Sequence, residues 1–302
     1  MTEKTPLVTI GIPVYQAEKY LAETLYSVLA QTYTRLEIII SDNASTDRTP
    51  AICAAYAARD KRIRYLRHPL NMGAAYNFNC QVEMARGKYF KWTAYDDPLA
   101  PTLVEKCVTV LESCPEAIMS YGRTILIDGN GDLIEYHQDN FDLRAPRPAV
   151  RLRQALVSSA WCHPVFGLIR TAVLKRTGKI GNYASSDKVL LYELAINGQC
   201  HELPEHLAYR RLHQQNSTSV NRTDEEMAYW FDPHNRRRLL TPRWRRLKET
   251  GKAIQRAPLT PADKLACYKE LGRFYFAPGR AAGAVKEIRQ VVRAVTHPFS
   301  RA

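Results

Sequence analysis

The pattern of apolar and polar positions changes period along the first hundred residues. Leu7 to Val14 is a continuous apolar and β-branched run, long enough for a buried strand and too short for a helix. Ala17 to Gln31 switches to helical spacing, with Tyr20, Leu21, Leu25, Val28 and Leu29 on one side. Leu36 to Ile40 is a second buried-strand run, and Ser45 or Asp47 can N-cap a helix through Ala58. Ile63 to Leu66 predicts a third strand, Gly73 to Arg86 a helix closed by Gly87, and Tyr89 to Ala94 a fourth strand. Short buried strands alternating with helices predict an α/β fold: a mostly parallel sheet covered on both faces.

The rhythm changes near residue 117. Met119 to Asp128 and Leu133 to His137 flank Gly129-Asn130-Gly131, a hairpin signal. Leu143 to Pro148 reads as a loop, Val165 to Ile169 as a strand, Lys188 to Ile196 as a helix closed by Gly198, and Leu207 to Leu212 as a last strand. From Thr223 onward the chain reads as helices broken near Pro242, Pro258 and Pro278. The expected division is a catalytic unit over residues 1–221, with halves 1–115 and 116–221, and a helical extension over 222–302.

In such sheets ligands bind at the carboxyl ends of the strands. That rule selects Pro13 and Tyr15 after the first strand, Asp42 after the second, Asn71 to Gly73 beyond the third, and Asp96 and Asp97 after the fourth. Adjacent carboxylates repel unless they share a cation or a proton. A hard divalent cation, Mg²⁺ or Mn²⁺ carrying a substrate phosphate, satisfies Asp96-Asp97; a solvated Asp-Asp-Pro turn is the plain alternative. Ser45, Thr46 and Asp47 cap the following helix better than Asp42 does, which leaves Asp42 for a nucleotide base or ribose.

With those residues in place, the chain resembles the family 2 glycosyltransferases, which have the GT-A fold. Val8 to Tyr15 looks like their opening strand and Ser41 to Asp47 like their second-strand motif. Asn71-Met72-Gly73, with Asn79 in the helix after it, resembles their third-helix entry, and Tyr95-Asp96-Asp97 their metal-binding acidic motif. The resemblance covers roughly residues 7–215. It implies that Pro13, Tyr15, Asp42, Asn71, Gly73, Asn79 and Asp96 bind a nucleotide sugar, and that Asp97 and Asp96 hold Mn²⁺ or Mg²⁺. His213, in the Arg-x-His ending of the closing strand, is implied as a further metal or diphosphate contact. Asp187 is implied as the catalytic base, although Ser186-Asp187 also suits an ordinary helix cap. Trp161 and His163 resemble the acceptor-side wall, and Trp161 serves equally as a core residue. One departure is Phe78, where many members carry Arg.

The activity so implied is inverting, non-processive transfer from a nucleotide sugar, UDP-sugar by default, to a glycan or lipid-linked acceptor. It suits surface-polysaccharide or lipid-linked glycan assembly. Two other readings compete. A nucleotidyltransferase also holds metal by carboxylates, but Gly11 to Tyr15 lacks its Gly-rich basic loop. A degenerate, non-catalytic binding module is the third; intact Asp42, Asp97 and Asp187 argue against it.

Charge adds a partner question. The chain of 302 residues carries +13, and residues 222–302 hold 18 basic and 8 acidic side chains against 25 and 22 in residues 1–221. An almost balanced first part argues against a nucleic-acid enzyme. Residues 236–256 hold nine basic side chains and one acid, interleaved with Trp244 and Leu247, a pattern suited to an anionic membrane surface or to packing on the core. Seven cysteines without C-x-x-C spacing, no signal-like start and no apolar run of membrane length suggest a cytoplasmic protein, peripheral to the membrane at most.

Overall fold

The computed structural model describes residues 5–158, 163–214, 216, 223–233, 241–278, 280 and 287. Trp161 and residues 236–240, named above, lie outside the described residues. An eight-stranded sheet forms the centre. Strands β1 (Val8–Val14), β2 (Leu36–Asp42), β3 (Ile63–Arg67) and β4 (Tyr89–Trp92) run parallel in the order β3-β2-β1-β4. The short β7 (Leu168–Arg170) joins β4 to β5 (Ala117–Ile127), antiparallel to both. The hairpin strand β6 (Leu133–His137) and the long parallel strand β8 (Gln199–Arg211) complete the sheet against β5.

The helices cover both faces because alternate side chains of each buried strand feed different layers. On β1, Val8, Ile10, Ile12 and Val14 enter a core with Leu21, Leu25 and Val28 of α1 (Leu21–Leu29) and Cys53 of α2 (Thr49–Arg59). Val104, Cys107 and Leu111 of α4 (Leu103–Ser113) fill the same core. Thr9 and Gly11 face the other layer. A methyl group at Gly11 would sit 2.2 Å from Gln81 Oε1 and 2.8 Å from Phe90 Cζ, so its bare backbone lets α3 (Ala74–Met84) approach the sheet.

That second layer is built from α3, α5 (Pro148–Val157) and α7 (Ser186–Asn197), with α6 (Thr171–Arg176) beside them. It also takes in the chain beyond residue 222. Ile254 of α9 (Pro242–Arg256) and Cys267, Leu271 and Tyr275 of α10 (Pro261–Tyr275) are buried in one core with Leu152, Leu190 and Leu194. Helix α8 (Asp224–Phe231) starts with a capping box, the Thr223 side chain accepting from the Glu226 amide. The described helices of the expected extension are therefore packed into the core of the molecule. No helix among the described residues is long and apolar enough to cross a membrane.

The described basic side chains of α9 are largely occupied. Arg256 forms two 2.9 Å hydrogen bonds to the buried Glu193 of α7. Arg245 pairs with Glu249 at 3.0 Å and lies 4.9 Å from the Tyr183 ring centroid, and Arg243 donates to the Arg280 carbonyl. Of the basic residues between 242 and 250, Lys248 alone is exposed. For this part of the stretch, packing on the core is the geometry observed.

The ends of the elements differ from expectation where turns intervene. Val165 lies in a 3-10 turn (His163–Phe166) rather than in a strand, because Gly167 turns the chain before β7 begins. Helices α4, α5 and α6 have no counterpart among the predicted elements; α5 begins on Pro148, which suits a first helical position.

Arg256→Ala strands the Glu193 carboxylate without its guanidinium. Breaking a fully buried pair costs about 3–5 kcal/mol. Arg256 keeps 38% side-chain exposure, so the expected loss is nearer ~2 kcal/mol, read as a lower urea midpoint at unchanged m-value.

Candidate functional site

The carboxyl ends of β1, β2 and β4 and the end of β8 meet at one edge of the sheet. Register sets the first two: Pro13 lies beside Ser41 and Val14 beside Asp42. Tyr15, the next residue, is exposed. Asp42 is fully buried. Its Oδ1 accepts from the Ser45 amide at 2.9 Å and its Oδ2 from the Tyr65 hydroxyl at 2.9 Å, with Arg67 Nε 3.6 Å away. Asp47 Oδ1 accepts from the Thr49 amide at the start of α2 at 3.0 Å, in line with the expected capping, while Asp42 is engaged in the turn before that helix and so is not left free.

Asn71 is fixed by a pair of amides. Asn43 Nδ2 donates to Asn71 Oδ1 at 2.7 Å, Asn43 Oδ1 accepts from the Met72 amide, and Asn71 Oδ1 also accepts from the Gly73 amide at 2.9 Å. Gly73 has φ 83°, where a side chain is strained, and a methyl group there would lie 2.6 Å from the Phe231 carbonyl oxygen. The segment after α8 thus closes over this turn. Asn79 points elsewhere. Its Nδ2 donates to the Ile180 carbonyl at 2.7 Å and its Oδ1 accepts from the Ile180 amide, so its amide fastens α3 to the loop before α7. Phe78, the departure noted above, packs near Trp92.

The acidic pair divides. Asp96 Oδ2 lies 2.8 Å from His213 Nε2 and accepts from Asn216 Nδ2 at 3.0 Å. Asp97 turns the other way: Oδ1 accepts from the Arg211 amide at 2.8 Å and Oδ2 from the Arg210 guanidinium at 3.0 Å. Burial pushes the Asp97 carboxyl up, with Arg210 pulling against it and Asp96 adding to it. Arg211, itself buried, donates to the Asp96 carbonyl and to Glu23 and stacks 4.7 Å from the Tyr20 ring centroid. The structure therefore brings Asp96, Asp97 and His213 together. Arg210, Arg211 and Asn216 are added to them; the Arg-Arg-Leu-His run was visible in the sequence, but nothing there said which carboxylate each would meet.

A divalent cation fits the Asp96–His213 pair by its chemistry. A carboxylate oxygen and an imidazole nitrogen already converge within 3 Å, and such a mixed donor set suits Mn²⁺ and tolerates Mg²⁺. Asp97 joins only if Arg210 releases one of its oxygens.

Asp187 occupies the first turn of α7. Ser185, at φ 63°, turns the chain into the helix, and Asp187 Oδ1 accepts from the Lys188 amide at 2.8 Å. The side chain is half-buried. His163 is drawn into a separate group, with its Nδ1 3.0 Å from Asp139 Oδ1. A cavity is lined by Thr93, Asp97, Thr124, His163, Phe166 and Arg210. Lys91 lines it too, donating to the Trp92 and Phe166 carbonyls.

The family model described as Glycosyl transferase family 2 matches residues 9–178. An uncharacterized glycosyltransferase of Rickettsia bellii is 37% identical over 135 residues, 44% of this chain and 19% of that protein. Glycosyltransferase GlyG of Streptococcus pneumoniae is 26% identical over 232 residues, 75% of this chain and 76% of its own. The matches span only 19–34% of the length of the first three curated relatives. Among solved structures, residues 1–349 of Staphylococcus aureus TarS superpose with a TM-score of 0.64 at 18% identity, covering 96% of this chain and 79% of TarS. The mannosyltransferase PcManGT of Pyrobaculum calidifontis, in complex with GDP-Man and Mn²⁺, gives 0.55 at 15% identity, covering 97% and 76%. At such identities these structures establish the GT-A fold.

Burial pulls the Lys91 ammonium down to about 8. A cation whose folded pKa lies below its unfolded one destabilises the fold while both states are protonated, and the penalty fades as pH rises from the folded to the unfolded value. Wild type should therefore gain on Lys91→Met between pH 8 and ~10.5, by about 3 kcal/mol at most. Paired urea melts across that range measure the difference.

Proposed function

The chain belongs to glycosyl transferase family 2, and from that premise we propose that it is an inverting, non-processive glycosyltransferase. It moves one sugar from a nucleoside-diphosphate donor to an acceptor hydroxyl. The observation that carries this reading is the meeting of Asp96, from the end of β4, with His213, from beyond β8, at the strand edge where such sheets bind ligands. Mn²⁺ or Mg²⁺ held there by Asp96 and His213, with Asp97, would neutralise charge on the departing diphosphate.

The chain's own residues do the rest. Tyr15 contacts the base, and Asp42, buried with both oxygens engaged, shapes the turn that receives base and ribose, with Pro13 shaping the loop between them. Asn71 and Gly73 line the nucleotide, held by the Asn43 clasp. Asp187 takes the proton from the acceptor hydroxyl while that oxygen attacks the anomeric carbon. The bond from that carbon to the diphosphate oxygen breaks on the opposite face. One displacement with one base inverts the configuration. In this reading residues 1–115 hold the donor and 116–221 the acceptor, with His163 on the acceptor wall. TarS has been solved with UDP and UDP-GlcNAc and PcManGT with GDP-Man, which supports a nucleotide-sugar donor with UDP as the default nucleotide. The acceptor is a glycan or lipid-linked glycan; the latter would bring residues 236–256 near an anionic membrane.

Asp187→Asn should lower turnover by about 10²–10⁴-fold and leave donor affinity unchanged. Asp96→Asn should lose metal-dependent donor binding in calorimetry. Near-normal turnover in the first variant, or unchanged metal-dependent binding in the second, rejects the assignment concerned.

A further inference from the structure

A second group of metal-competent side chains stands apart from the Asp96–His213 edge. His137 ends β6, Asp139 follows it by two residues, and His163 opens the 3-10 turn. One donor atom from each lies within 4.8 Å of the other two. Asp139 is buried at the centre: its Oδ1 is 3.0 Å from His163 Nδ1 and 3.7 Å from His137 Nε2. The two imidazoles meet edge to face, 5.4 Å between centroids.

The surroundings orient these donors. Asp139 Oδ2 accepts from the Thr124 hydroxyl at 3.0 Å, which leaves Oδ1 facing both histidines. Thr124 sits opposite His137 in the β5–β6 register, so the ladder fixes the spacing of the carboxylate and the first imidazole. On the far side of the ring, His137 Nδ1 lies 3.5 Å from Glu135 Oε1. A carboxylate behind a histidine, with its other nitrogen turned inward, is the arrangement that raises imidazole basicity at metal centres. Thr124 and His163 also line the cavity, so the group borders open space.

We propose that His137, Asp139 and His163 form a site for a divalent transition metal of the Zn²⁺ class, distinct from the cation associated with the diphosphate. Two nitrogens and one carboxylate oxygen match the three protein ligands of an open tetrahedral zinc site, with the fourth position toward the cavity. Bonds of about 2.0–2.2 Å place tetrahedral ligands about 3.3–3.5 Å apart, so one imidazole must close by roughly 1 Å. Binding would join the β5–β6 hairpin to the turn before β7, two segments that enter from different parts of the chain. Mg²⁺ would not be favoured, since it prefers oxygen ligands and keeps its water.

The test uses the full chain stripped with a chelator and titrated with Zn²⁺ by calorimetry, then with Co²⁺ followed by visible absorption. Expected are one equivalent of Zn²⁺ that survives Asp96→Asn and a tetrahedral Co²⁺ spectrum. His137→Gln should weaken Zn²⁺ at least about 100-fold, and Glu135→Gln, at an exposed position, about 10-fold. Zn²⁺ binding lost in Asp96→Asn, or unchanged in both His137→Gln and Glu135→Gln, overturns the proposal. So does a wild-type chain that takes up neither metal, since the cluster would then be a His–Asp–His hydrogen-bond network only.

Discussion

Two neighbouring carboxylates at the end of one strand set the constraint on which the candidate site depends. Asp96 and Asp97 are both buried, and side by side they repel. The end of β8 and the residues just after it resolve this by sending two groups to each. Arg210 and the Arg211 amide take Asp97; His213 and Asn216 take Asp96. The pair thereby pins β8, more than a hundred residues later in the chain, against the end of β4. It also fixes which carboxylate remains oriented toward an imidazole. Arg211 extends the same contact to the first helix through Glu23 and the Tyr20 ring. The substrate chemistry proposed at this edge thus rests on charges that first had to be balanced for the edge to fold.

The strands around that edge were legible because burial on both faces writes them as continuous apolar runs. Ile38-Ile39-Ile40 and Val8 to Val14 leave no other reading at their length. The rule that ligands gather at strand ends then found Asp42, Asp96 and Asp97 without further information. What the pattern could not carry was direction. Asn79 stands at a helical position consistent with a ligand contact, yet its amide spans to Ile180, a hundred residues away. Asp42 looked free because better capping residues follow it, but capping preference does not decide which carboxylate is nearer the turn amide. His137 and Asp139 went unread for the same reason. Their partner His163 arrives from another segment, and only the β5–β6 register and the 3-10 turn make them neighbours.

Charge was legible in amount but not in placement. The surplus beyond residue 222 reads as a basic surface when the chain is considered as a string. Packed, Arg256 reaches Glu193 in the middle of α7 and Arg245 lies over Tyr183 in the loop before it. Each guanidinium carries an apolar stem along the core while its head finds an acid or a ring. The same helix therefore supplies Ile254 to the hydrophobic layer and countercharge to the only acidic side chain buried in α7.

That packing bears on Asp187 directly. Helix α7 carries the proposed base in its first turn and Glu193 near its middle, and Glu193 also accepts from the Gly178 amide in the loop that leads into it. Holding Glu193 from both sides fixes the loop, the helix axis and hence the position of the first turn. A base on a helix N-terminus is useful only if that terminus stays within reach of the acceptor oxygen, which a fraction of an ångström decides. At the opposite border, Phe231 and Pro233 close over Gly73 beside the Asn43–Asn71 clasp. The described helices after residue 222 therefore buttress both the Asn71–Gly73 turn and the helix of the proposed base, so their removal would loosen two sides of the candidate site at once.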